Sequence, residues 1–136
     1  MNDCLAAPRP LPMPRFHYYT LDVFTDRPFG GNPLAVVLDA DGLPGTRMQA
    51  IAAEFNLSET VFVLRPDGPR GTRKLRIFTP RAELPFAGHP TIGASFLLAW
   101  LGLAPCDAAH PEMVLEEGIG DVPVIGPVYA GVLSGH

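Results

Sequence analysis

Residues 91–101 read TIGASFLLAWL, and Ile92, Ala94, Phe96, Leu97, Leu98, Ala99, Trp100 and Leu101 point in nearly every direction around a helix axis. A helix that is apolar all round needs cover on all sides. The rest of the chain must therefore supply strands that wrap around one central hydrophobic helix. Pro90 suits the first turn of that helix, where a missing N–H would have no partner anyway. Gly102 suits its end. The apolar run 92–104 is interrupted by Gly93, Ser95 and Gly102. It falls short of the ~20 residues that cross a bilayer, so no membrane partner is expected.

The remaining periodicity supplies the wrapping. Residues 17–24 (HYYTLDVF), 60–64 and 74–78 read as strands, and 66–71 as a hairpin joining the last two. The unbroken apolar run 34–38 predicts a strand buried on both faces. Met48, Ile51, Ala52 and Phe55 form one stripe of a helix over 47–55, with Thr46 and Gln49 spaced as a capping box. Residues 113–116 and 122–125 read as strands around a Gly118–Asp121 turn. The expectation is an α+β fold of mixed and antiparallel strands around a central helix, rather than an alternating βαβ series. Four alternating prolines (8, 10, 12 and 14) predict a polyproline-like lead-in over 1–15. The folded domain is placed at 16–126, and 127–136 is read as an irregular tail.

A length of 136 residues argues for one domain or a piece of something larger. Ten Lys and Arg against fourteen Asp and Glu leave no basic excess, which speaks against a nucleic-acid partner. Cys4 and Cys106 make no disulfide framework. With His17, His89, His110 and His136 they make no metal-ligand pattern either. No basic segment followed by an apolar one opens the chain. A cytoplasmic protein with free thiols is expected.

Chemistry has three candidate locations. In RAELPFAGHPTIG (81–93), a Gly-His-Pro step leads into the buried helix, where unpaired N–H groups and the helix dipole favour an anion. Gly88 permits close backbone approach there. His89 can act as acid, base or donor, or simply cap the helix. In Asn56–Thr60, Ser58 and Glu59 lie at a helix–strand junction. A partly desolvated carboxyl there can move protons at carbon, although a solvated glutamate is the plainer reading. Gly30-Gly31-Asn32-Pro33 can hold Asn32 over a substrate or only make a turn. Asp22 can face a site or serve the sheet edge. Glu54, Glu83, Glu116 and Glu117 read as solvated, as does the basic hairpin of Arg70, Arg73, Lys74 and Arg76.

YTLDVFTDRPFGGNPLAVVL, MQAIAAEFNLSETVFV, LRIFTPRAELPFAGHPTIG and MVLEEGIGDVPV, in that order, resemble the PhzF-like family. This is the phenazine-biosynthesis isomerase family, which shares its fold with diaminopimelate epimerase. The resemblance runs over residues 16–124. It implies one half of a fold of two similar halves, with the active site in the cleft between them. It implies cofactor-free acid–base chemistry that moves a proton between carbons of a small acid. On that resemblance Glu59 is the catalytic acid of the SET motif, and Gly88 and His89 of the GHP motif line the site. Ser58 and Asp22 match positions near the substrate. Neither cysteine lies in a matching motif, so carboxyl chemistry fits better than a two-thiol mechanism.

Nothing after Val124 resembles the family's second half, with its catalytic aspartate and glycine-rich loop. The chain is therefore expected to be an N-terminal half: truncated, split from its partner or shortened. An open half-site neither excludes water nor supplies the second group, so little activity is expected of it alone. Its partners would be a small acid substrate and either the missing half or a second copy. The alternative is a non-catalytic remnant or small-acid-binding module. The surface meant for the missing half should be apolar and exposed, which invites self-association.

Overall fold

The computed structural model describes residues 15–23, 30–105, 109, 111–125 and 131–135. In chain order the elements are β1 (Tyr18–Val23), β2 (Asn32–Val37), α1 (Gly45–Phe55), β3 (Glu59–Leu64), β4 (Arg73–Phe78), β5 (Glu83–Leu84), α2 (Gly88–Trp100), β6 (Glu112–Glu117), β7 (Gly120–Ile125) and β8 (Gly131–Gly135). The strands form one sheet in the order β7-β6-β4-β3-β2-β1-β8, with β5 pairing beside β4. The pairs β2–β3 and β4–β6 are parallel, and the others are antiparallel. The fold is α+β.

Each parallel pair needs a crossover, and α1 and α2 provide them. Both crossovers step the same way across the sheet, but β4 runs antiparallel to β3. Right-handed crossovers on strands of opposite direction place their helices on opposite faces. Two separate cores result. Around α2, Leu34 and Val36 of β2 join Val61, Val63, Leu75, Ile77, Met113 and Leu115. Around α1, Val37 joins Phe62, Phe78, Met48 and Ala52. Strand β2 is thus buried on both faces, as the run 34–38 predicts. A Cβ at Gly93 would lie 2.5 Å from Leu34 Cδ2 and 2.9 Å from Val23 Cγ2. Glycine there lets α2 settle onto β1 and β2.

Several expectations need correction. Helix α1 starts at Gly45 without a side-chain cap. Gln49 Nε2 donates instead to the Thr79 carbonyl at 2.9 Å, so Thr46 and Gln49 form no capping box. Helix α2 begins earlier than expected, at Gly88. It ends in a Schellman closure, in which Leu103 N–H donates to Leu98 O at 2.9 Å and Gly102 N–H to Ala99 O at 3.1 Å. Gly102, at φ +73°, takes the left-handed position that this closure requires. The helix is not covered on every side. Pro90, Thr91, Gly93, Ala94, Ser95, Leu97 and Leu98 are buried, but Ile92, Phe96 and Ala99 are only half-buried and Trp100 is 60% exposed. A single sheet reaches only part of the helix perimeter, and the stripe 92–96–99–100–103 faces outward among the described residues.

The expected irregular tail at 127–136 contains β8, whose residues 131–135 pair with β1. Without them that edge of β1 would present unpaired backbone groups. The lead-in 1–14, the turn residues 24–29, Cys4, Cys106, His110 and His136 lie outside the described residues. Among the described residues, no helix is long and apolar enough to cross a membrane.

Candidate active site at the start of the second helix

Glu59 reaches its place through the end of α1. Asn56 closes that helix in the left-handed conformation (φ 53°, ψ 33°), which asparagine tolerates better than most residues. Leu57 and Ser58 then lead into β3. Glu59 alternates with Val61 and Val63, so its side chain belongs to the face that carries α2. His89 is the second residue of α2. Glu59 Oε2 lies 2.8 Å from His89 Nε2, and the two side chains are 16% and 17% exposed.

The two atoms are at ion-pair distance. Both atoms are buried and make no hydrogen bond among the described residues. Buried polar atoms normally find partners, and exceptions concentrate where chemistry happens. The first N–H groups of a helix have no intrahelical acceptors, and Pro90 removes one donor from the set. A Cβ on Gly88 would meet no atom within 4 Å, so there is open space above this step. The Glu59–His89 pair and the helix N-terminus adjoin this step. Together they can hold an anionic group and exchange a proton with it.

The other expected residues are placed differently. Ser58 is exposed beside Glu59. Asp22 is buried in β1 between Leu21 and Val23, which both pack in the α2 core. Alternation along the strand therefore assigns Asp22 to the opposite face, away from the Glu59–His89 pair. Asn32 is the exposed first residue of β2.

Glu117 departs from the solvated expectation. It is only 9% exposed. Its two carboxyl oxygens each lie 3.0 Å from Thr91 Oγ1, which is also 2.7 Å from the Ala87 carbonyl. A hydroxyl has one proton to give. That proton serves either the Ala87 carbonyl or a Glu117 oxygen. Burial pushes the Glu117 carboxyl up to about 7, against a smaller opposing effect of the Thr91 hydrogen bond. The signal was in the sequence: Met113, Leu115 and Glu117 share a period of two, so the acid follows two core residues onto the α2 face.

This has a consequence for stability. The folded state holds the Glu117 proton up to about pH 7, whereas the unfolded chain releases it near 4.5. Stability therefore falls as pH rises from about 4.5 to about 7 and stays at the lower level above that. The expected loss is at most about 3 kcal/mol. Urea denaturation at pH 5 and pH 8 should show it, and Glu117→Gln should remove it. Equal pH dependence in the two proteins would refute this role.

A cavity of about 380 Å³ lies beside β4, β5 and β6, lined by Asp67, Lys74, Arg76, Glu83, Glu116 and Glu117 among others. Its charges are already satisfied. Lys74 donates to Asp67 at 2.6 Å, and Arg76 donates twice to Glu83 at 2.8 Å. Glu116 accepts from the Asp67 and Gly68 N–H groups. Lys74 and Arg76 of the basic hairpin are thus paired with acids, and Arg73 donates to the Thr72 and Leu103 carbonyls. Among the described residues, no group of three or more His, Cys, Asp or Glu side chains is placed to hold a metal ion.

Comparison with known proteins places these residues in a wider group. Residues 21–133 match the PhzC-PhzF family model, described as phenazine biosynthesis-like protein. An uncharacterized isomerase of Mesorhizobium japonicum is 56% identical over 106 residues, covering 78% of this chain and 34% of that protein. Trans-2,3-dihydro-3-hydroxyanthranilate isomerase of Pseudomonas aeruginosa is 45% identical over 106 residues, covering 78% and 36%. The crystal structure of a PhzF-family phenazine biosynthesis protein of Bacillus anthracis superposes with a TM-score of 0.73 at 35% identity, covering 82% of this chain and 36% of that one. The matched region spans about a third of the length of these relatives.

Proposed function

Since the chain belongs to the PhzC-PhzF family of phenazine biosynthesis-like proteins, we propose that it carries one wall of an isomerase site that moves a proton at carbon in a small carboxylic acid. Glu59 takes and returns the proton. Gly88 and His89 hold the acid group at the start of α2. The observation that carries this reading is the buried contact of 2.8 Å between Glu59 Oε2 and His89 Nε2, neither atom having a hydrogen-bond partner among the described residues. Desolvated groups at a helix N-terminus suit acid–base work on an anion. Relatives with isomerase names support the reaction class. They leave the substrate open, and a cytoplasmic location is part of the same reading.

A second wall would have to come from elsewhere. The uncovered stripe of α2, with Trp100 60% exposed and Leu103 39% exposed, favours a partner half or a second copy against this helix. Self-association of the 136-residue chain is the expected result, measured by light scattering across a concentration series. Trp100→Lys should shift it toward monomer. A monomer at every concentration would count against this part.

The functional test is deuterium incorporation from solvent into candidate small acids. It compares the 136-residue chain with a protein extended by any coding sequence that follows His136. Exchange by the extended protein alone supports the reading of an incomplete site. Exchange by the 136-residue chain would refute incompleteness but keep the isomerase. No exchange by either favours a non-catalytic acid-binding module.

A further inference from the structure

We propose that Glu117 and Gly118, where β6 turns into β7, are positioning residues for His89: they clamp the chain on both sides of it and so set the imidazole against Glu59. The consequence for catalysis rests on the isomerase reading above. The clamp itself does not.

Two independent contacts make it. The first precedes His89. A Cβ on Gly118 would lie 2.7 Å from Pro85 Cα, 3.0 Å from Pro85 O and 3.1 Å from Pro85 Cβ. Backbone atoms cannot swing aside as the end of a side chain can. Pro85, three residues ahead of Gly88, is therefore seated directly on the turn. The second contact follows His89. Thr91 is buried, and its hydroxyl meets both Glu117 oxygens at 3.0 Å while it also reaches back to the Ala87 carbonyl.

The clamp is needed because α2 has no side-chain cap of its own. Its N-cap is Ala87, in extended conformation. An uncapped first turn has unpaired N–H groups and little to stop it fraying. Glu59 meets the tip of the imidazole at 2.8 Å, which leaves the backbone of this turn to other contacts. Among the described residues, the β6–β7 corner grips this turn from outside the helix on both sides of His89. A shift at either contact should then rotate or loosen the His89 ring and change how strongly it senses Glu59.

The test follows the ring signals of His89 by NMR in the 136-residue chain without substrate, assigned by their loss in His89→Gln. Thr91→Val keeps volume and removes the hydroxyl. Glu117→Ala removes the acid, and Glu117→Gln keeps an amide oxygen to accept from Thr91. Gly118→Ala pushes on Pro85. In Thr91→Val, Glu117→Ala and Gly118→Ala, the His89 ring signals recorded at pH 5 should move or broaden relative to wild type. Glu117→Gln should restore the wild-type signals. If Gly118→Ala does not fold, Thr91→Val decides. Unchanged His89 signals in Thr91→Val and Glu117→Ala would overturn the proposal, as would a Glu117→Gln shift as large as that of Glu117→Ala. Because no substrate is present, a failure of isomerase activity leaves this result untouched.

Discussion

Glu59→Gln should lower deuterium incorporation into the substrate by about 10²- to 10⁴-fold, the range a positioned general acid or base contributes. The variant keeps the size and shape of the side chain and the contact with His89, but it has no carboxylate to take a proton. Glu59 lies at the start of β3, 16% exposed and 2.8 Å from His89, so no bulk solvent base can easily replace it. The measurement is isotope incorporation into the acid by mass spectrometry, with the extended protein. A thermal melt should show the fold unchanged, because an isosteric substitution at a half-buried position leaves packing intact. Exchange at the wild-type rate in Glu59→Gln would move the proton-transferring group elsewhere.

Phe62→Ala should cost about 3–5 kcal/mol of stability, the usual range for removing a buried aromatic side chain. Phe62 is fully buried at the centre of β3, beneath Met48 and Ala52 of α1. Its ring meets Phe78 edge to face, with centroids 5.5 Å apart and planes at 88°. That pair adds aromatic attraction to the area buried. A domain of this size has a total stability of about 5–15 kcal/mol, so the change threatens the fold. Urea denaturation measures it, and Phe62→Leu should lose less, since part of the volume remains. A loss below about 1 kcal/mol for Phe62→Ala would mean that the α1 core is loosely packed. The strand that would give way is the one that delivers Glu59 to α2.

How far these features are legible in the chain depends on their range. The stripe Met48, Ile51, Ala52 and Phe55 identifies α1 because helix periodicity is local. The Thr46–Gln49 spacing is local as well, yet it misleads, because the Thr79 carbonyl competes for the Gln49 amide from 30 positions away. Glu117 was readable from its alternation with Met113 and Leu115. It was misread because surface exposure is the ordinary condition of glutamate. The segment 131–135 has little strand character of its own; what makes it a strand is the open edge of β1.

Local sequence is enough to identify α1, α2 and β2 and to place Glu59 and His89 close to element boundaries. Hydrophobic period, proline and glycine act between near neighbours in the chain, and no distant contact is needed to read them. The meeting of Glu59 with His89, the turn of Asp22 to the other face and the grip of the β6–β7 corner on both sides of the histidine come from long-range packing. Those outcomes depend on strand order, on the direction of β4 and on the hand of two crossovers. Among the described residues, the same topology leaves the Trp100 side of this mostly apolar helix facing outward, because one sheet can close around only part of it.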